Sequence, residues 1–412
     1  MRVSILWAIL LTIALCDVPA QAQQTGETPL TVKIGVLSDM SGLYADVGGP
    51  GSVAAANMAV EDFNPASHGM KVEIVSADHQ NKPDIGSAIA RRWFDVDQVN
   101  AVADVPNSGV ALAVSNVTRE KNRVFLISGA ADSDLTDKQC SPNTVHWTYD
   151  TWGLAHGTGE AIVRQGGKTW FFLTADYAFG HALERDTAAV VKAAGGKVLG
   201  AVRHPLNTSD FSSFLLQAQG SKAQVIGLAN AGGDTINAVK QAAEFRIVQG
   251  GQRLAGLLVF LSDVHALGLQ TAQGLTLTTA FYWDLNDKTR AFAKRFAARD
   301  GGKYPTMVQA GVYSSVLHYL EAVARVGSPT DGTKVVEAMK ATRYEDPLFG
   351  DTVVRQDGRA IHALYLVEVK KPTESKGPYD YFKVLATIPA DQAFRPLADE
   401  KGTCGLVKAA SR

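Results

Sequence analysis

Short apolar runs alternate with longer amphipathic stretches along most of the chain, the pattern of a parallel sheet with helices on both faces. The first unit sets it. Val32–Leu37 reads as a buried strand, a polar glycine-rich loop runs from Ser38 to Gly49, and a helix over about Pro50–Phe63 places Val53, Ala56, Val60 and Phe63 at helical spacing. Strands are expected over Met70–Ala77, Val99–Val105 and Arg123–Ile127, with helices over Pro83–Asp95 and from Ser108 to about Arg119. Thr144–Tyr149 reads as a crossing strand, after which the alternation restarts. A helix capped by Thr151 runs to about Gln165, followed by strand Lys168–Thr174 and a helix over Gly180–Ala194. Strands Lys197–Val202, Gln224–Leu228 and Leu257–Leu261 then alternate with helices Asp210–Gln219 and Asp234–Phe245. From Leu275 the pattern loosens. Leu275–Phe281 is strand-like, Lys288–Arg299, Val308–Val326 and Thr333–Ala341 are helical, and the end is β-rich over Thr352–Arg355, Ile361–Val369 and Tyr381–Ala386.

The expected fold class is therefore α/β, with two doubly wound, Rossmann-like parallel-sheet domains joined by hinge crossovers. One lobe takes residues 23–148 and 280–358, the other 149–279 and 359–390, and 391–412 form a tail. In such sheets ligands bind at the carboxyl ends of the strands. Each half places a Tyr-Ala pair and a glycine between its first strand and helix, Tyr44-Ala45 in one and Tyr177-Ala178 in the other, as expected of two similar domains facing each other.

The N-terminus changes the picture of location. Arg2, the apolar run Val3–Leu15, the breaker Pro19 and Ala20-Gln21-Ala22 form an export signal, with cleavage expected before Gln23. Leu15 before Cys16 is too bulky for a lipidation site. Removing the first 22 of 412 residues leaves 390, enough for two full cores. Of three cysteines, Cys16 leaves with the signal, and the remaining pair, Cys140 and Cys404, is expected to form one disulfide in an oxidising compartment. A net charge of −1 with no basic face argues against a nucleic-acid partner. The protein is expected to be a periplasmic monomer.

Catalytic chemistry is poorly represented. Gly49-Pro50-Gly51-Ser52-Val53-Ala54 fits a dinucleotide fingerprint, but it lies too far from the preceding strand, and no cofactor is expected. Nine histidines show no ligand spacing, so no metal is expected. Asp263 and His265 share a loop and are the one enzymatic alternative. Anion recognition is better supported. Asn107-Ser108-Gly109 opens a helix, where free N–H groups and the dipole favour a carboxylate, with plain N-capping by Ser108 as the alternative. The small-residue loop Ser128–Ser133 lets backbone approach a ligand.

Taken in order, Lys33-Ile34-Gly35-Val36-Leu37, Met40-Ser41-Gly42, Asn107-Ser108, Ile127-Ser128-Gly129-Ala130 and Asp176-Tyr177-Ala178-Phe179-Gly180 resemble the type I periplasmic solute-binding proteins of the branched-chain amino acid receptor group, which serve ABC importers. The resemblance implies a non-enzymatic receptor that passes a small carboxylated ligand to a membrane permease. It implies carboxylate contacts at Ser108 and at Ala130, Ala131 and Asp132, and closure from the second lobe by Phe179, Asn230 and Asp263. Amino acid receptors carry Tyr where this chain has Phe179, and Glu for the ammonium where Ser262-Asp263 stands. Phe179 and the Phe281–Asp284 run resemble the branch that binds aromatic carboxylates. Tyr44, Tyr177 and Tyr282 are therefore expected to face a planar acid, with a branched-chain amino acid, a ligand-sensing module and a secreted hydrolase as successively weaker alternatives.

Overall fold

In the computed structural model, residues 29–397 and 403–407 are described. The export signal and its cleavage point lie outside them, as does part of the tail. The opening apolar run forms β1 (Leu30–Ser38), which pairs in parallel with β2 (Met70–Asp78) and β3 (Ala101–Asp104). With β4 (Val124–Ile127) and β5 (Thr144–His146) these make a five-stranded sheet in the order β2-β1-β3-β4-β5. Every residue of β3 and β4 is buried, as expected where helices cover both faces. Gly35 in β1 makes room for the Trp93 ring, which would lie 2.3 Å from a Cβ at that position.

The strand expected to cross between lobes does not cross. Thr144–His146 stays beside β4, and the chain leaves only through Trp147–Asp150. Asp150, rather than Thr151, caps the helix that follows, accepting the Gly153 N–H at 2.8 Å. Freed from that role, Thr151 donates to Asp186 at 2.6 Å.

The second sheet is parallel and four-stranded. β6 (Thr169–Ala175), β7 (Lys197–His204), β8 (Val225–Ala229) and β9 (Arg253–Gly256) lie in the order β7-β6-β8-β9. The strand expected at Leu257–Leu261 is instead β9, which ends at Gly256. The apolar run beyond it is buried but leaves the ladder and enters a helix, Leu261–Leu267. Burial alone made that run look like a strand. β10 (Thr276–Thr279), β14 (Leu364–Val369) and β15 (Phe382–Ile388) form an antiparallel sheet; β11 (Arg343–Asp346), β12 (Gly350–Val354) and β13 (Ala360–Ile361) form another. The helix Met307–Val326 packs on Gly49–Phe63 and against β3 and β4, so late sequence completes the first lobe. Arg295 reinforces that return, reaching Asp62 at 2.6 Å.

Cys140 and Cys404 are joined by a disulfide with Cα atoms 5.7 Å apart, and Arg395 holds Asp137 at 2.5 Å nearby. The tail is thus tied to the loop before β5.

At the crossover sits a fully buried arginine. Arg359 donates to the carbonyls of Trp147 and Tyr149, each at 3.0 Å, faces Asp150 at 3.7 Å and lies 4.0 Å over the Phe394 ring. Burial pulls its pKa down to about 10, against the opposing pull of Asp150, so it remains charged near neutral pH. His362 adds a bond to the Trp147 carbonyl at 2.9 Å. Arg359→Ala would take the facing cation from Asp150 and the bond from the buried Tyr149 carbonyl, leaving His362 alone on the Trp147 carbonyl. We expect a loss of about 3–5 kcal/mol in denaturant unfolding; a loss below about 1 kcal/mol would show that the clamp is replaceable.

Candidate ligand-binding cleft

The end of β3 carries the first departure from ordinary backbone. Asp104 and Val105 have φ of 79° and 56°, a left-handed pair without glycine that is unfavourable for a β-branched residue. Surrounding bonds hold it: the Val105 N–H reaches the Leu37 carbonyl at 3.0 Å, and Ser38 donates to Asp104 at 2.7 Å. The bend delivers Pro106 to the cleft and starts the helix Ser108–Glu120.

Asn107 is the cap of that helix, accepting the Val110 N–H at 3.1 Å. Ser108 therefore has another task. Its hydroxyl accepts the N–H groups of Ala131 and Asp132, both at 3.3 Å, and so joins the two loops expected to meet a carboxylate. As acceptor in both bonds, it retains its own hydrogen for donation. Ala130 is buried and receives His146 Nε2 on its carbonyl at 2.8 Å.

Between the lobes lies a cavity walled by five aromatic rings: Tyr44, Tyr149, Tyr177, Phe179 and Phe260. Val47, Pro106, Gly129, Ala131, Ala231 and Leu258 complete the wall, and no charged side chain contributes. Tyr177 and Phe179 have ring centroids 5.9 Å apart, and Tyr149 meets Phe260 edge-on at 6.2 Å. Tyr149 donates to the Gly129 carbonyl at 2.6 Å, so its ring is fixed from behind. The space open to the centre of a water-sized sphere is about 10 Å³, roughly one water's worth and too little for a ring-sized molecule.

Direct contacts close the lobes over this cavity. The Tyr44 and Tyr177 hydroxyls are 2.6 Å apart, and the Gly233 N–H reaches the Leu43 carbonyl at 3.3 Å. Gly232 has φ 58°, and a Cβ there would lie 2.7 Å from the Leu43 carbonyl oxygen. Two aspartates flank the site. Asp132 is pushed up to about 7 by burial and then by Asp134. Asp263 is likewise raised to about 7 by burial, against the bond it accepts from Phe260 N–H at 2.9 Å. That bond makes Asp263 a brace for its own helix end.

Several expected residues lie elsewhere. Tyr282 is outside the cavity: its hydroxyl donates to the Tyr379 carbonyl at 3.2 Å, and its ring packs 5.2 Å from Phe382 in the second lobe's core. Asn230 does not line the cavity either; it bonds His204 at 3.1 Å and Thr235 at 2.7 Å, holding Ala231 in place. Asp263 and His265 do not form a pair, since His265 bonds the Tyr381 hydroxyl at 2.8 Å and stacks on Tyr379 at 4.6 Å. Gly51 of the dinucleotide-like run serves packing, a Cβ there falling 2.2 Å from Gln309. Sequence reasoning missed Tyr149 and Phe260. The first sat within a stretch read as strand, the second within the apolar run misread as a strand. Among the described residues, no group of three or more metal-ligating side chains occurs and no helix is long and apolar enough to cross a membrane.

The family described as periplasmic binding protein matches residues 31–378. A Leu/Ile/Val-binding protein homolog from Brucella melitensis is 28% identical over 373 residues, covering 87% of this chain and 91% of that one. A periplasmic binding protein from Burkholderia mallei has a crystal structure with TM-score 0.88 and 54% identity, over 92% of this chain and 99% of its own. A branched chain amino acid ABC transporter periplasmic ligand-binding protein from Burkholderia xenovorans gives TM-score 0.79 at 42% identity, over 89% and 98%. A solute-binding protein from R. palustris in complex with 4-hydroxybenzoate shares the fold, with TM-score 0.78 at 23% identity over 87% and 97%.

If the lobes close as these contacts indicate, Gly232→Ala should hold them apart. The side chain is strained at that φ and collides with Leu43, an effect on the order of 1–3 kcal/mol, so ligand affinity should fall at least tenfold with the fold intact by circular dichroism. An unchanged affinity would mean that binding does not require this contact.

Proposed function

The chain belongs to the periplasmic binding protein family, as a solute-binding receptor of an ABC transporter, and from that footing we propose that its ligand is an aromatic carboxylate of the benzoate or phenylpropenoate class. The observation that carries this reading is the wall of the cavity: five aromatic rings and no acidic side chain to receive an α-ammonium. Rings of this kind stack on a planar ligand, each well-placed pair contributing roughly 0.5–1.5 kcal/mol beyond area burial. The ligand carboxylate meets the Ser108 hydroxyl and the Ala131–Asp132 turn at the start of the helix Ser108–Glu120, where the dipole favours an anion. Asp263, the residue left to replace an ammonium receptor, is turned toward the Phe260 N–H instead.

The mechanism is hinge closure. The protein, exported to the periplasm as a monomer after loss of its first 22 residues, opens about the crossovers between residues 23–148 with 280–358 and residues 149–279 with 359–390. Ligand touches both lobes only when they are shut, so it shifts the population by its differential affinity for that form, and the closed receptor is what the permease engages. A second reading, a branched-chain amino acid ligand, is favoured by the names of the Brucella and B. xenovorans proteins.

Isothermal titration separates them. We expect binding of benzoate, 4-hydroxybenzoate, coumarate or phenylacetate and no heat from leucine or valine; the reverse result would replace the aromatic reading while leaving the receptor reading intact. Ser108→Ala should weaken the bound acid by about 1.5–3 kcal/mol, one charge-assisted hydrogen bond. An unaffected Kd would remove Ser108 from the anchor.

A further inference from the structure

The hydrogen-bonding side chains and much of the backbone in the cavity wall are committed. The Tyr149 hydroxyl is spent on the Gly129 carbonyl, and the Ala131 N–H on Ser108. The Ala131 carbonyl takes the Thr151 N–H at 2.7 Å, and the Val47 carbonyl takes the Thr306 hydroxyl at 2.6 Å. Phe260 gives its N–H to Asp263 and receives the Asp263 N–H on its carbonyl at 3.1 Å. Among the side chains the exception is the pair of hydroxyls on Tyr44 and Tyr177, 2.6 Å apart. Neither has another partner among the described residues. Whichever of them donates, the other keeps its hydrogen and the donor keeps lone pairs. The wall therefore holds one uncommitted O–H beside one uncommitted acceptor.

We propose that this pair selects ligands that carry a hydroxyl on the ring. That hydroxyl accepts the spare hydrogen of one tyrosine and returns its own to the lone pairs of the other, closing a loop of three O–H groups. The proposal deepens the aromatic-carboxylate reading and rests on it. In that reading the carboxylate goes to the Ser108 turn, which leaves the tyrosine pair for the ligand's second polar group.

Both rings are held from their own lobes. Tyr44 gives its N–H to Asp39 at 2.8 Å, and its ring lies against Gly232, where a Cβ would stand 3.0 Å from it. Tyr177 opens the helix Ala178–Ala193, gives its N–H to the Ala175 carbonyl at 2.8 Å and packs beside Phe179. Charge at Tyr149 is felt at Tyr44, and charge at Tyr177 is felt at Tyr149, so three hydroxyls gather around the space these rings line. Burial raises the pKa of both members of the pair above the ordinary tyrosine range, so each keeps its hydrogen. In an open cleft, water meets the spare O–H. A cleft shut on a ring with only hydrogen or methyl at that place leaves it unmet, and a buried donor without a partner costs more than the bond itself contributes. A site with such a bond to make rejects the analogue lacking it more strongly than an apolar pocket rejects a missing methylene.

The test is titration calorimetry of the full mature chain with 3- and 4-hydroxybenzoate against 3- and 4-methylbenzoate, which have nearly the same shapes. We expect one hydroxy acid to bind at least about tenfold more tightly than its methyl counterpart. Tyr44→Phe and Tyr177→Phe should each bring that ratio below about threefold. Gly233→Ala, whose added methyl meets Leu43 rather than either tyrosine, should weaken both acids and keep the ratio. If a Phe variant fails to fold, the ultraviolet Raman doublet of tyrosine in the wild-type complexes decides. It must differ between the hydroxy and the methyl acid, and an identical doublet overturns the proposal. Hydroxy and methyl acids that bind alike overturn this proposal alone and leave the aromatic reading standing. A preference that survives both Phe variants, or one lost as fully in Gly233→Ala, overturns the assignment to the pair. No binding by any aromatic acid overturns the ligand reading and this proposal with it.

Discussion

A guanidinium taken out of water at the crossover is the constraint on which the rest of the architecture leans. Arg359 has no exposed surface, and its desolvation is offset only because the Trp147 and Tyr149 carbonyls, Asp150 and the Phe394 ring are all in place. Those partners come from the outgoing crossover and from the tail, while Arg359 itself belongs to the returning segment. Its backbone pairs with β5 as well, through the bridge to His146. Two passages of the chain are thereby fixed in register at the crossover between the lobes. Tyr149, whose carbonyl Arg359 holds, also presents its ring to the cavity. Crossover and cavity wall are one stretch of backbone.

The cleft follows from that arrangement. Strain at Asp104–Val105 is tolerated because β1 and Ser38 bind that turn, and its effect is to point the helix Ser108–Glu120 and the Pro106 ring at the gap between sheets. The second lobe answers with Tyr177, Phe179 and Phe260, whose positions come from the ends of β6 and of the buried run after β9. Polar groups in the wall are few and nearly all spoken for, so what the wall offers is chiefly ring faces.

Much of this was legible in the chain. The period of the apolar positions identified both parallel sheets because β1, β3, β4, β6 and β8 are buried runs bounded by turn signals. Ala131, Tyr44, Tyr177 and Phe179 reach the cavity wall from near strand ends, the edge at which this fold class binds ligands. What failed has physical causes. Leu257–Leu261 is as apolar as a strand, but pairing, not burial, defines one, and pairing with β8 stops at Gly256, opposite Leu228. β11 is polar enough to look like loop, and only its hairpin with β12 makes it a strand. Tyr282 carried an aromatic signal identical to that of Tyr44, yet the local sequence cannot say which side of a lobe a ring will fill. Asn230 read as a contact because it borders Ala231, whereas its amide is consumed inside its own lobe.

The bond between the Tyr44 and Tyr177 hydroxyls, with the Leu43–Gly233 backbone bond beside it, involves no ligand atom. Under the proposed hinge closure, any solute's observed affinity is its intrinsic affinity for the shut cleft multiplied by the fraction of molecules that shut unaided. A change at Gly232 or Gly233, neither of which lines the cavity, multiplies every ligand's affinity by the same factor and leaves their ranking untouched. A change at Phe179, Tyr149 or Phe260 alters the ranking instead. Strength and selectivity of capture are thus written in different residues, and each can drift in evolution while the other stays fixed.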